Sequence, residues 1–338
     1  MPVPGAWRAV AVESDAMPET AAPPVRPVTI EEIRAARERI SSVITRTPLI
    51  RLLHGVDGAP EVWLKLENLQ PINAFKLRGA ANAVALLGPE ERAKGVWTIS
   101  AGNAGQGVAY AARAAGVPCT VVVIETAPET KVERMRALGA TLVKAPFDAC
   151  WRAMEERRFP GVEGTFVHPF DDHDFVAGNA SIGLEILEDL PHVKTVIAAI
   201  GGGGLVSGIG SAIKALAPGV KVLGAEPETA APGAASFAAG SPQVFEQWQA
   251  SFVDGAGGKS IFPRMWDRLK DTVDGSTVVT LEEVKTAIRI VASKARVIAE
   301  GAGALSVAAA LKETEGPVVA VVSGGNIDLK KFCEIVGS

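Results

Sequence analysis

The sequence predicts an α/β protein of two lobes, each built on a mainly parallel, twisted sheet flanked by helices. Three observations carry this. Short β-branched runs alternate with Ala-rich helical stretches, the pattern of βαβ units. Two strand candidates, TVIAAI at 195–200 and VVAVV at 318–322, are apolar throughout, as central strands covered on both faces are. The 338 residues are about twice the soft prior of ~150 per domain.

The elements follow in order. TIEEIRAARERI, 29–40, is a helix with Thr29 as N-cap and Glu32 completing a capping box. Strands are predicted at 62–66, 95–100, 119–124 and 140–145, with helices at 76–87, 104–115 and 128–138 between them. A second series runs from FVHPF at 166–170 through helix 175–190, strand 195–200, helix 204–216 and strand KVLGAEP at 221–227. It ends with helices 281–299 and 303–311 and the strand VVAVV. The Gly-, Ser- and Pro-rich stretch 230–280 reads as a long surface excursion. The expected domains are a flexible leader over 1–28, a large domain of 29–58 plus 160–338, and a small domain, 59–159.

A formal net charge of -4 and no Lys/Arg cluster on one predicted face leave no basic field for nucleic acid or an anionic membrane. No segment is apolar for the ~18 residues that a membrane span needs. The leader has prolines and acidic residues where a signal peptide needs an apolar run, so a cytoplasmic setting is expected. Cys119, Cys150 and Cys333 are too few and too far apart for a disulfide framework or a metal motif, and read as inert thiols in a reducing compartment.

Chemistry concentrates at the strand-to-helix turns. PINAFKLRGA, 71–80, places Lys76 between an aromatic residue and an Arg-Gly pair, where an apolar helix is about to be buried. In IAAIGGGGLVSG, 197–208, four glycines precede a helix N-terminus, and backbone N–H groups there can hold a phosphate; a tight turn alone needs fewer glycines. A dinucleotide site with Glu226 as ribose carboxylate is the rival, but Val206 or Ser207 falls where the third fingerprint glycine belongs. SAGNAGQGVA, 100–109, offers N–H groups and one amide to an oxyanion, or is simply a helix start. VVSGGNID delivers Ser323 into a Gly-Gly bend.

The ordered motifs FKxRGA, SxGNxxQGVA, HPFDD at 168–172, GGGGL and SGGN resemble the fold-type II pyridoxal-phosphate enzymes, the tryptophan synthase β-like fold. Within that fold they are similar to the serine/threonine dehydratases and serine racemase. The resemblance spans about 29–335. It implies pyridoxal 5'-phosphate as cofactor and Lys76 as its Schiff-base lysine, with Phe75 beside it. It implies that Gly201, Gly202, Gly203, Gly204 and Leu205 cradle the phosphate, Asn103 meets the ring hydroxyl and Ser323 faces the pyridine nitrogen. A serine there leaves the ring a weaker electron sink than a carboxylate would. Glu300 reads either as a carboxylate at a helix N-terminus or as lining the ring. The substrate carboxylate is expected on Ser100, Ala101, Gly102, Asn103 and Ala104.

The implied reaction is α,β-elimination of water from a β-hydroxy amino acid, serine, threonine or a bulkier analogue, giving a 2-oxo acid and ammonia, with Lys76 as general base. Ile72, Asn73 and Ala74 replace the Thr, Gly and Ser of the usual PTGSFK, and Ala104 replaces the histidine of GNH, which widens the substrate question. Ala101 stands where a racemase carries its second base. The cation site of some relatives pairs a Glu with an Asp six residues on. Here Glu226 meets Pro232, and no metal is expected. His54, His173 and His192 lack ligand spacing, and His168 reads as packing or substrate contact. The chain stops twelve residues after Asn326, so no regulatory domain and no feedback inhibition are expected. A homodimer is the family's habit. A β-replacement synthase, a nucleotide-dependent oxidoreductase and a silent binding protein remain as alternatives.

Overall fold

The computed structural model describes residues 23–127 and 129–337. Two sheets organise them. The larger has strand order β1-β2-β10-β7-β8-β9, built from β1 (Leu49–Leu52), β2 (Val62–Lys65), β7 (Thr195–Ala199), β8 (Lys221–Pro227), β9 (Gly275–Val279) and β10 (Val318–Val321). Only the β1–β2 ladder in it is antiparallel. The smaller, β5-β4-β3-β6, is parallel throughout and uses β3 (Val96–Ile99), β4 (Cys119–Ile124), β5 (Thr141–Ala145) and β6 (Thr165–Phe166).

The helices are α1 (Ile30–Ile40), α2 (Lys76–Ala85), α3 (Pro89–Lys94), α4 (Asn103–Ala115), α5 (Glu129–Ala137), α6 (Phe147–Glu156), α7 (His173–Asp189), α8 (Gly204–Leu216), α9 (Pro232–Ala239), α10 (Pro263–Thr272), α11 (Leu281–Ile290), α12 (Gly301–Ala310) and α13 (Leu329–Val336). The uninterrupted apolar strands are central, as read. Along β7, Val196 and Ala198 join one core cluster and Ile197 and Ala199 another, so each face is covered. Thr29 and Glu32 form the expected capping box of α1, and Thr280 with Glu283 repeats it on α11.

Several boundaries differ from the sequence reading. β2 was expected in the small domain but pairs parallel with β10 in the large sheet, and β6, expected in the large domain, extends the edge of β3. The chain therefore crosses between sheets after β2 and after β6 rather than at 59 and 160. The stretch 230–280 is not a plain excursion: it holds α9, α10 and β9, and Met265, Trp266 and Leu269 of α10 are buried. Their i, i+1, i+4 spacing was hidden among charged neighbours. The helix expected over 281–299 gives way to a π-helical turn, Val291–Ala295, ended by Arg296 at φ 58°. The chain then runs without regular structure to Glu300. Of the leader expected over 1–28, residues 1–22 lie outside the described residues, while Val28 is buried against α1 and α7.

α2 crosses α7 at glycine contacts. A Cβ on Gly178 would lie 2.4 Å from the Arg78 carbonyl oxygen, and one on Gly79 would lie 2.4 Å from the Phe175 ring. Beneath this crossing is a buried charge network. Arg78 donates from Nε and Nη2 to Glu67 at 2.8 Å each, and to Glu185 from Nη1 at 2.7 Å and Nη2 at 2.9 Å. Lys65 sits 2.6 Å from Glu185, and Thr47 donates to Glu67 at 2.6 Å. Burial opposes ionisation of Glu67, but Arg78, Thr47 and Lys65 outweigh it and hold the carboxyl below its ordinary value.

Removing one member leaves buried charge uncompensated. Arg78→Ala is expected to lose about 3–5 kcal/mol of stability in urea unfolding. Arg51→Ala, which breaks the exposed 3.3 Å pair with Glu61, should change it by less than about 1 kcal/mol.

Candidate active site

Lys76 opens α2, and the turn before it is stitched to the turn after β10. Phe75 N donates to Ser323 O at 3.0 Å, Gly325 N donates to Asn73 O at 2.9 Å, and Ala74 bridges Gly324. Asn73, standing where the family motif has glycine, has φ 56°. Asparagine reaches that left-handed region more readily than most side chains, so the departure keeps the backbone path. The Lys76 amine donates to the Pro169 carbonyl and lies 5.2 and 5.4 Å from the ring centroids of Phe75 and Phe175. Burial lowers it from 10.5 to about 8. A lysine held by a carbonyl and aromatic rings, rather than by a carboxylate, keeps a neutral fraction of roughly a tenth at pH 7, far more than a free lysine.

The HPFDD turn reaches both halves of the site. Besides the Pro169 carbonyl on Lys76, it sets the Phe170 ring where a Cβ on Gly202 would be, 2.2 Å away, and the Phe170 carbonyl 2.8 Å from a Cβ on Gly204. The glycine run is thus required by packing as well as by its turn, in which Gly203 has φ 89°. His168 is 1% exposed, and its Nδ1 accepts from Asp171 N at 2.9 Å and from Phe170 N at 3.3 Å. Burial first, then Arg157, Lys76 and Arg264, hold its imidazole well below the ordinary value. A neutral ring that shapes the turn answers the packing half of the sequence reading.

Two helix N-termini begin at these turns without a side-chain cap. α8 follows Gly203, and α4 follows Gly102. Their first-turn N–H groups have no partner within the helix and carry the positive end of the dipole. By contrast α1, α7, α11 and α13 are capped by Thr29, Asp172, Thr280 and Asp328. In the α4 turn Ser100 Oγ accepts from Gly102 N at 3.1 Å, Ala101 is partly exposed and Ala104 is buried. A Cβ on Gly107 would come 3.1 Å from the Lys76 carbonyl oxygen, so α4 lies directly against the start of α2.

Asn103, Glu300 and Asn326 form one cluster. Asn103 Nδ2 donates to Glu300 Oε1 at 2.7 Å, and Asn326 Nδ2 donates to Asn103 Oδ1 and to Ile72 O at 2.8 Å each. Asn326 N donates to Glu300 Oε2 at 3.0 Å. Glu300 occupies the N-cap of α12, where the helix dipole favours a carboxylate, although its side chain makes no capping bond. Ser323, 3% exposed, stands two residues after β10 in the turn that leads to Asn326. Asn326 closes the SGGN motif, and no role for it is legible in the chain. Its short polar side chain after two glycines was the available signal.

Glu226, the rival ribose carboxylate, is fully buried. It accepts from Gly233 N and Ala234 N at 2.7 Å each and from Ser276 Oγ at 2.6 Å. The N-terminus of α9 has taken the carboxylate, which leaves no group there for a ribose. Among the described residues no cluster of three or more His, Cys, Asp or Glu is placed to hold a metal.

A desolvated lysine, an uncapped glycine turn and a polar end formed by Ser323 and Asn103 define a class: enzymes that anchor a phosphorylated aldehyde cofactor on a lysine. The donor set fits pyridoxal phosphate, with an amine, uncapped helix N–H groups and polar side chains on neighbouring turns. Residues 40–324 match the family model described as pyridoxal-phosphate dependent enzyme, and the chain belongs to that family. It is 40% identical to the L-threonine ammonia-lyase of Thermotoga maritima over 320 residues, 91% of this chain and 78% of that protein. Dictyostelium discoideum serine racemase superposes with a TM-score of 0.80 at 33% identity, covering 89% of this chain and 99% of that one. The T.th. threonine deaminase gives 0.77 at 34%, again over 89% and 99%.

Two outcomes follow. Gly202→Ala drives a methyl into Phe170, and cofactor affinity in an absorbance titration is expected to fall roughly tenfold or more. Below pH 8 the Lys76 amine is charged in folded and unfolded chain alike, so its burial opposes folding. Between about 8 and 10.5 the unfolded chain holds the extra proton, and stability rises with pH. Cofactor-free Lys76→Met should therefore unfold at higher urea than cofactor-free wild type at pH 7, with the gap narrowing by pH 10.

Proposed function

We propose that this chain is a pyridoxal-phosphate-dependent ammonia-lyase that removes water from a β-hydroxy amino acid of the threonine or serine class, yielding a 2-oxo acid and ammonia. The observation that carries it is the buried Lys76 amine, lowered to about 8, at the meeting point of the HPFDD and SGGN turns. The names of its relatives, a threonine ammonia-lyase and a threonine deaminase, support the substrate class.

Pyridoxal phosphate, when bound, supplies the electron sink that acidifies the substrate Cα–H. The N–H groups from Gly201 to Leu205 at the start of α8 would hold its phosphate. Asn103 would offer its amide to the ring hydroxyl and Ser323 would serve the ring nitrogen, with Glu300 and Phe75 beside the ring. The turn from Ser100 to Ala104 at the start of α4 takes the substrate carboxylate and so orients Cα toward Lys76. Lys76 accepts the Cα proton, the Cβ–O bond breaks, and the departing hydroxide takes up a proton that the Lys76 ammonium makes good, so that H from Cα and OH from Cβ are lost together as water. The released enamine tautomerises to an imine, and a second water hydrolyses it to the 2-oxo acid and ammonia. Ala101 offers no group to return a proton from the other face, which favours elimination over racemisation.

The lobe built on the four-stranded sheet carries the α4 turn, and we read it as closing over the substrate, which keeps water from the acidified carbon. A homodimer in a reducing cytoplasm completes the reading. Buried Cys119 and Cys150, whose thiols burial pushes up to about 12 and about 11, fit that setting.

The test is the visible spectrum of the purified protein beside Lys76→Ala, followed by a 2-oxo acid assay with a panel of β-hydroxy amino acids. Wild type should show a violet-region band that the variant lacks, and threonine or serine should release 2-oxo acid at a rate the variant lowers by a factor on the order of 10³ or more. A band with no 2-oxo acid from any member, but with product when a thiol is added, would replace the lyase by a β-replacement synthase.

A further inference from the structure

Asp171, fourth in HPFDD, has no part in the chemistry above, yet it is 3% exposed and faces three arginines. Arg157 Nη2 donates to its Oδ2 at 2.9 Å and also to its backbone carbonyl. Arg264 Nε donates to Oδ2 at 2.6 Å, and Arg268 Nε stands 3.9 Å from Oδ1. The arginines come from different parts of the molecule. Arg157 ends α6, whose Cys150 and Ala153 pack on the four-stranded sheet, and its φ of 55° is a left-handed conformation that few arginines adopt. Arg264 and Arg268 belong to α10, whose Met265 and Leu269 pack with the six-stranded sheet. Asp171 therefore ties both lobes to one turn.

That turn is the one that touches the reacting groups. Two residues before Asp171, Pro169 presents its carbonyl to the Lys76 amine. One residue before, Phe170 packs on Gly202 and Gly204 of the phosphate turn. Asp171 N itself donates to His168 Nδ1, which closes the turn from inside.

We propose that Asp171 is a positioning residue, held by Arg157 from the smaller lobe and Arg264 from the larger, which sets the Pro169 carbonyl against Lys76 and the Phe170 ring against the glycine turn. The joint couples the relative placement of the lobes to the proton affinity of the lysine and to the shape of the phosphate cradle. This rests on the reading of Lys76 given above.

The sign of its effect on Lys76 follows from the charges around the turn. Arg157 on α6, Arg264 and Arg268 on α10, neutral His168 in the turn and the Asp172 carboxyl capping α7 surround it. Neutralising Asp171 leaves arginine charge less balanced and frees the turn to withdraw its carbonyl from the ammonium. Both changes disfavour the charged amine, so its titration moves to lower pH.

The experiment follows uptake of pyridoxal phosphate by the cofactor-free chain through its absorbance, across pH 6 to 10, for wild type, Asp171→Asn, Arg157→Ala and Arg157→Lys. Wild-type uptake should rise with pH about a midpoint near 8. Asp171→Asn should shift that midpoint to lower pH, whereas Arg157→Ala, which removes a positive charge while freeing the turn, should shift it less; both, once loaded, should lower kcat on the order of 10- to 100-fold with KM changed far less. Arg157→Lys, which keeps the charge, should recover most of both. Variants that keep the wild-type midpoint and kcat while losing only thermal stability overturn the proposal and make Asp171 a plain structural joint. If Asp171→Asn does not fold, the Arg157 pair decides alone. Wild type that takes up no cofactor, or makes no 2-oxo acid, counts against the function itself rather than against Asp171.

Discussion

Everything at the site depends on where α2 points, and α2 is fixed by the buried guanidinium of Arg78. Two residues after Lys76, it is clamped between Glu67, just after β2, and Glu185 on α7, with Lys65 balancing the second carboxylate. Such a network is weak evidence for net stability, because desolvating four charges offsets most of their attraction. Its consequence is geometric. The fork of Arg78 can satisfy both carboxylates in only one rotation of α2, and that rotation leaves Lys76 under Pro169 and beside Phe175.

Close backbone approach is the second constraint. Gly178 lets α7 reach the Arg78 carbonyl, Gly107 lets α4 reach the Lys76 carbonyl, and Gly303 lets α12 come within 2.4 Å of the Gly324 oxygen, measured from an added Cβ. These contacts draw the helix N-termini, the lysine turn and the SGGN turn to one place. The abundance of glycine and alanine has this physical meaning: larger side chains would hold apart the segments that must share one cofactor.

Glu226 shows how one side chain can look functional and yet be structural. Its place at the end of β8 suggests a ribose carboxylate or a cation ligand, but the first turn of α9 and Ser276 supply three donors to it. Burial pushes its carboxyl up, against the pull of those hydrogen bonds. Pro232 opens α9, where a missing N–H matters least, and so helps place the two amides on the carboxylate.

The α/β class, the order of most strands and helices, and the lysine, glycine and serine turns were legible in the chain. Local rules govern them: β-branched runs, capping boxes such as Thr29 with Glu32, and glycines where a turn or a ligand crowds the backbone. α10 was not legible, because three buried apolar residues among charges look like surface until α8 is seen beside them. Nor was the role of Asp171, whose partners lie 14, 93 and 97 residues away along the chain. The sequence by itself determined which elements form and which residue types carry the chemistry, since both depend on neighbours a few positions apart. Only the tertiary structure decided which sheet claims β2 and β6, that Glu226 is spent on α9, and that Asn103, Glu300 and Asn326 share hydrogen bonds, because long-range packing and charge compensation leave no local trace.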